Sequence, residues 1–220
     1  MEKNEKTDKL TQEGFHFFGK MSASATHEIK NTLAIINENI GLMDDLSMMA
    51  QDGMLSSEQT SSVSKNIKRQ VQRANTILQK LNKFSHSVDL SEQMADVETT
   101  VKFTLDLASR LIDMYEVTIE IIPAPSNIGV NANQFFLENM IWKAVEKACQ
   151  GARQEKKVIV SFKQDSETLA VWFSMGNIED GFMDNLFMTD EDKVLIEYLD
   201  IVVKKDKENN SFGLVWSDRN

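Results

Sequence analysis

The chain has 220 residues, long enough for one or two domains with a real hydrophobic core. It is 41% hydrophobic and 26% charged, the balance of a soluble globular protein. Its 34 acidic residues against 24 basic ones give a formal net charge of -10, which argues against nucleic acid as the main partner, since phosphate binding needs a basic face. The single cysteine, Cys149, allows neither a disulfide framework nor a cysteine-based metal site within one chain, and suits a reducing, cytoplasmic location. The opening "MEKNEKTDKL" is charged and lacks the apolar core of a signal peptide. No apolar run approaches the ~18 residues that span a bilayer, so no membrane association is expected.

From about Thr7 to Gln51 there is no proline, and Phe15, Phe18, Ser22, Ala25, Ile29, Thr32, Ile36, Met43 and Leu46 recur at spacings of three and four. This predicts one long helix. Gly53 offers a stop, and "SSEQ" (Ser56 to Gln59) offers a capping box for a second helix. Its stripe is Val63, Ile67, Val71, Ala74, Ile77, Leu78, Leu81 and Phe84. Two long helices joined by a short loop predict an antiparallel hairpin. Each stripe is wider than one partner helix can cover, so two hairpins are expected to pair as a homodimeric four-helix bundle.

The composition then shifts near Ser85 to Leu90. A third helix is expected to run to about Tyr115, capped by Asp89 or Ser91, followed by a β-branched strand at Val117 to Ile122 that "PAPSN" breaks. "NQFFLENMIWKAVEKACQGA" reads as a helix, and "KKVIVSF" and "TLAVWFSMG" as paired strands. "DEDKVLIEYLDIVVKKD" reads as a helix and "SFGLVWSD" as a last strand. The expected architecture is therefore α+β: a helical hairpin over residues 1–87, then an α/β sandwich over residues 88–220.

Within the first helix, Thr26 to Leu33 read "THEIKNTL". With Ile29 on the buried stripe, His27 is turned about 200° away and is expected to face solvent. Glu28 adjoins it, and Lys30 and Asn31 follow at three and four residues, so all can approach the ring. A neutral imidazole has a nucleophilic ring nitrogen, a carboxylate can stabilise the cation that forms, and a lysine can neutralise an incoming phosphoryl group. Asn31 could instead orient a water. The plain alternative is a solvated polar helix face. His16, near the start of the first helix, and His86, in the linker, suggest no chemistry, and the three histidines give no metal spacing.

"FGKMSASATHEIKNTLAIINENI" resembles the phosphoacceptor box of two-component sensor histidine kinases, His-Glu-hydrophobic-Lys-Asn-Pro-Leu, through His27, Glu28, Ile29, Lys30, Asn31 and Leu33, with Phe18 and Met21 upstream. Thr32 replaces the family's proline. The resemblance extends, by element order, over nearly all the chain, and it implies an ATP-binding second half. There the family's boxes are degraded. None of the nine glycines forms a Gly-x-Gly, and the helix "LENMIWKAVEKAC" keeps Asn139 but has Lys143 where the second metal-binding Asn belongs. The adenine-binding Asp is replaced by Met175-Gly176-Asn177, with Asp180-Gly181 arriving late. Acidic Asp190, Glu191 and Asp192 stand where a glycine-rich lid would cradle phosphates. Lys143 could bind phosphate or serve as a core-edge cation.

The resemblance therefore implies a histidine phosphotransferase on a degenerate histidine-kinase core, similar in concept to ChpT-type proteins. His27 is the expected phosphoacceptor, with Glu28 orienting its ring, Lys30 balancing charge and Asn31 tuning hydrolysis. Response-regulator receiver domains are the expected partners, with an upstream hybrid sensor kinase as a further one. No cofactor is expected on this chain, magnesium being supplied by the receiver. Ile35 and Leu42 are expected on the docking surface. A phosphatase of a phosphorylated receiver, a non-catalytic pseudokinase and an active kinase are the alternatives.

Overall fold

The computed structural model describes residues 2–50, 55–125 and 128–217, the first three by backbone alone. The chain divides into two compact units, one formed by residues 1–20 and 86–220, the other by residues 21–85. Helix α1 (Glu2–Met49) contributes to both, and α2 (Ser57–Ser87) completes the second unit. The stop expected at Gly53 lies outside the described residues. The expected capping box is present: the Gln59 N–H donates to Ser56 Oγ at 3.1 Å and the Ser56 N–H donates to Gln59 Oε1 at 3.0 Å. At Thr32 the helix continues unbroken, the hydroxyl donating back to the Glu28 carbonyl at 2.9 Å.

The larger unit is mixed helix and sheet. Its five-stranded sheet has the order β2 (Thr118–Ile121), β4 (Lys157–Gln164), β5 (Thr168–Met175), β7 (Ser211–Ser217), β6 (Ile201–Asp206). Only β2 and β4 are parallel; the hairpin of β4 and β5 pairs Val160 with Phe173 and Phe162 with Val171. Alternate residues Val158, Val160 and Phe162 on β4, and Leu169, Val171, Phe173 and Met175 on β5, are buried. Helix α5 (Gln134–Gly151) covers this sheet and contributes Leu137, Met140, Ile141, Ala144, Val145 and Ala148, all inaccessible to solvent. Full burial of each large apolar side chain contributes about 1.5–3 kcal/mol, so this helix-on-sheet layer is the core. Asn133 caps α5 by accepting from the Phe136 N–H at 3.2 Å.

Two expectations fail. The third helix was placed too early: Gln93–Asp96 instead form β1, antiparallel to β3 (Gly129–Ala132), and α3 (Val97–Leu107) begins only after them. Asp96, rather than Asp89 or Ser91, is the cap, accepting from the Thr99 N–H at 2.6 Å. The strand leaves no local signal, because "QMAD" carries no β-branched residue and its partner lies more than 30 residues away. A short α4 (Ser109–Asp113) follows α3. Likewise "DEDKVLIEYLDIVVKKD" is not one helix. Helix α6 (Asp190–Tyr198) ends as Asp200 takes a left-handed φ of 53°, and β-branched Ile201, Val202 and Val203 enter β6.

Among the described residues, no helix is long and apolar enough to cross a membrane. Cys149 lies fully enclosed on α5, where burial, aided by the charge of Glu146, pushes its thiol up to about 12. Since the thiolate is the nucleophile, native protein at pH 8 should resist iodoacetamide for hours. Unfolded protein should be labelled within minutes, and mass spectrometry distinguishes the two.

Candidate functional site

His27 lies in the middle of α1 and is exposed, as the helical rhythm predicts. Lys30 and Asn31 are exposed as well, while Glu28 is half-buried. The structure brings Glu28 to a residue that the sequence reading did not single out. Arg73, midway along α2, holds its Nη2 3.6 Å from Glu28 Oε2. This ion pair ties the two helices together one residue from His27, so Glu28 is engaged with Arg73 rather than with the imidazole. Among the described residues, His27 makes no side-chain hydrogen bond, which leaves both ring nitrogens to solvent or a partner. Arg73 carried no signal in the sequence, because only the register of α1 on α2 decides which of several α2 cations reaches Glu28.

The hairpin buries few apolar side chains. Met21, Ala25, Val63, Ile77 and Phe84 are buried, whereas Leu33, Ile40, Leu42, Val71 and Leu78 remain 43–51% exposed. Of the two residues expected on a docking surface, Leu42 is exposed and Ile35 half-buried.

In the mixed unit, Lys143 projects from α5 into a cluster of carboxylates. Its Nζ lies 2.9 Å from Asp192 Oδ1 and 3.2 Å from Glu13 Oε2. All three side chains are largely withdrawn from water, with 18%, 4% and 10% of their surfaces exposed respectively. Burial alone would lower the Lys143 pKa, but the hydrogen bond and charge of Asp192, then of Glu13, outweigh it and hold the ammonium above its ordinary value. Asp192 also serves as the capping-box residue of α6, its carboxylate accepting from the Thr189 N–H at 3.3 Å while Thr189 Oγ1 accepts from the Asp192 N–H at 3.1 Å. Lys143 is thus a core-edge cation with its charge already met.

The part of α1 up to Lys20 reaches this cluster because Gly14 lets the helix approach α5. A Cβ there would lie 3.2 Å from a Phe135 ring carbon. Phe17 packs on Phe135 at a ring-centroid distance of 5.4 Å. Lys9 pairs with Asp190 at 3.1 Å, Lys6 with Glu197 at 2.8 Å, and Lys20 with Glu146. The acidic run that looked hostile to phosphate is therefore largely matched by lysines within the chain.

Asn139 is wholly enclosed on α5, and neither its amide nitrogen nor its amide oxygen has a hydrogen-bond partner. At the end of β5, the Asn177 N–H donates to Glu155 Oε1 at 3.1 Å, so a carboxylate from the loop after α5 faces this strand end. A nucleotide's magnesium and phosphates do not fit these residues. The retained amide is closed off from solvent, and the cation beside it is committed to two acids.

No family model and no curated protein matches this chain. Solved structures with a similar arrangement include a histidine kinase of Acinetobacter baumannii, AdeS, at 13% identity and a TM-score of 0.47, covering 88% of this chain and 98% of that one. Another is the histidine kinase ThkA in complex with the response regulator TrrA, at 16% identity and 0.46, covering 99% of this chain and 66% of that one. The catalytic domain of ThkA gives 10% identity and 0.45, covering 58% of this chain and 96% of that one.

Truncating Lys143 would leave two buried carboxylates facing each other. Lys143→Ala should cost about 3–5 kcal/mol in urea unfolding. Converting the acids in a Lys143→Met background (Glu13→Gln, Asp192→Asn) should recover most of that loss. Because the folded pKa of Lys143 is raised, its contribution should be fully present below the ordinary value of 10.5 and fade only as pH rises through the raised one.

Proposed function

We propose that this chain is a histidine phosphotransferase that exchanges a phosphoryl group between His27 and the aspartate of a response-regulator receiver domain, without binding ATP. The observation that carries the reading is the solvent-exposed His27 within an intact His-Glu-Ile-Lys-Asn run on a two-helix unit. In the transfer, a ring nitrogen of His27 attacks phosphorus. A P–N bond forms as the P–O bond to the receiver's aspartate breaks, and the aspartate leaves as a carboxylate. The positive charge left on the imidazole lies beside Glu28 until the remaining ring proton is released to water. Lys30 lies on the helix surface close enough to neutralise phosphoryl oxygens, and Asn31 close enough to hold a water and set hydrolysis against transfer. The step passes through a loose transition state, so positioning and charge balance supply most of the rate. Magnesium belongs to the receiver's acidic site.

The ATP-independent part of the reading is supported by the enclosed, unpartnered Asn139 and by Lys143 held between Glu13 and Asp192. The homodimeric four-helix bundle is supported by the exposed apolar flank of the hairpin, Leu33 and Ile40 on α1 with Val71 and Leu78 on α2. The domain division at residue 87 belongs to the same reading, with the second part acting as a brace for the dimer and a wall for docking.

A receiver phosphorylated with radiolabelled acetyl phosphate should pass label to the wild-type chain. His27→Ala should abolish the transfer, and labelled ATP should leave the chain unlabelled. If the receiver loses its phosphate while the chain never gains label, the protein is a phosphatase instead. Light scattering should give a mass twice the 25.0 kDa of one chain, and Leu33→Glu with Val71→Glu should reduce it to one.

A further inference from the structure

The two sheets of the mixed unit meet at a cavity that the phosphotransfer reading does not use. Its volume is about 350 Å³, within the range of small-molecule sites, roughly 300–1,000 Å³. One wall is the ribbon of β1 and β3, through Val130 and Asn131, and the other is the end of the five-stranded sheet, through Gln164, Leu169 and Trp216. The corner between α6 and β6, Leu199 and Asp200, closes a third side. Helix α5, which packs on the sheet elsewhere, supplies none of the described residues that line it. Leu169 lies opposite Trp216 in the ladder of β5 and β7, and Met175 stands at the other end of β5. At ~3.4 Å per residue, the cavity is about 20 Å along the strand from Met175-Gly176-Asn177, where the histidine-kinase resemblance would place adenine.

The lining is sorted by polarity. Val130, Leu169, Leu199 and Trp216 are buried and make an apolar floor. Asn131, Gln164, Asp200 and Ser217 are exposed and make a polar rim. Gly129 has no side chain, so the Met94 thioether lies against β3 at the edge of the cavity; a Cβ at Gly129 would come within 2.7 Å of its sulfur. Met94 is 72% exposed and unbranched, so it can swing aside. The Trp216 indole N–H is enclosed and has no hydrogen-bond partner. A buried donor left unpaired is unfavourable, which makes this tryptophan receptive to an acceptor.

We infer that this cavity binds a small uncharged molecule with a carbonyl acceptor on an apolar body, such as a lactam, an amide or a ketone. The apolar floor takes the ring or chain, the Trp216 N–H donates to the carbonyl oxygen, and the rim amides meet what remains in water. Among the described residues the lining holds no cation, and Asp200 at the rim disfavours carboxylates and phosphates. An ammonium would have to leave water for the apolar floor. The volume suits a molecule of about ten non-hydrogen atoms, at ~30 Å³ for each, as for liquid water. The site contains neither His27 nor its neighbours and does not depend on phosphotransfer.

The test is solution NMR on the full-length, nitrogen-15-labelled chain, with ε-caprolactam as the probe. Trp142, Trp172 and Trp216 give three indole N–H signals, and Trp216→Phe identifies the one that belongs to Trp216. Caprolactam should move that proton downfield and saturate, with a Kd of about 1 mM for so small a ligand. The Leu169 and Val130 amides should shift with it. The Trp172 indole, on the opposite face of the sheet, should stay in place. Cyclohexylamine and cyclohexanecarboxylate, similar rings with either charge, should bind at least tenfold more weakly. Asn131→Trp, at the exposed rim, should fill the cavity and abolish the shifts while the rest of the spectrum is unchanged. Trp216→Phe should weaken binding at least fivefold, read at the Leu169 and Val130 amides. No saturating shift up to about 20 mM caprolactam overturns the inference, as does binding that Asn131→Trp leaves intact. Either charged ring binding as tightly as caprolactam overturns the assigned class of ligand. No receiver enters the measurement, so failure here leaves the phosphotransfer reading standing.

Discussion

The buried contact of Lys143 with Asp192 and Glu13 is the constraint around which the mixed unit is organised. One ammonium joins three helices: α5, which supplies it, α6, whose capping-box residue receives it, and the start of α1, whose Glu13 completes the pairing. A buried charge is tolerated only when its partners are in place, so the three elements are held to one arrangement. An ammonium already shared between two carboxylates offers no net positive charge to a phosphate, and Asn139, four residues earlier on α5, is itself wholly enclosed.

A second ion pair organises the other unit in a different manner. Arg73 and Glu28 meet at 3.6 Å with the arginine half in water, a geometry worth little in stability. Its value is positional. It marks which side of α2 stands beside His27, while Leu33 and Ile40 of α1 and Val71 and Leu78 of α2 remain an exposed apolar flank. The hairpin thus separates two surfaces. One is polar and charged, the other apolar.

Whole-chain averages concealed this separation. A net charge of -10 describes the molecule as a whole and says nothing of a helix at +5, as α2 is with six basic residues against one acidic. A net charge is a sum, and a sum has no direction. The helical period recovers the direction for one helix at a time, but not the partner that each face meets.

By itself the sequence determined the two long helices, the capping box at Ser56 and Gln59, the outward turn of His27, the β4 and β5 hairpin and helix α5, because each follows from a local period or a local hydrogen bond. It left β1 and β3 unseen, since four-residue strands with one β-branched residue between them, Val130, are stabilised by a distant partner rather than by their own composition. It also ran α6 into β6, since "LDIVVKKD" keeps an apolar rhythm that a helix and an edge strand can both satisfy. Tertiary structure alone decided that Lys143 is neutralised by Glu13 and Asp192, that the part of α1 up to Lys20 belongs with the mixed unit, and that Arg73 is the cation paired with Glu28. Each of these depends on which atoms, far apart in the chain, come within a few ångströms, and electrostatic energy depends on that distance, not on position in the sequence.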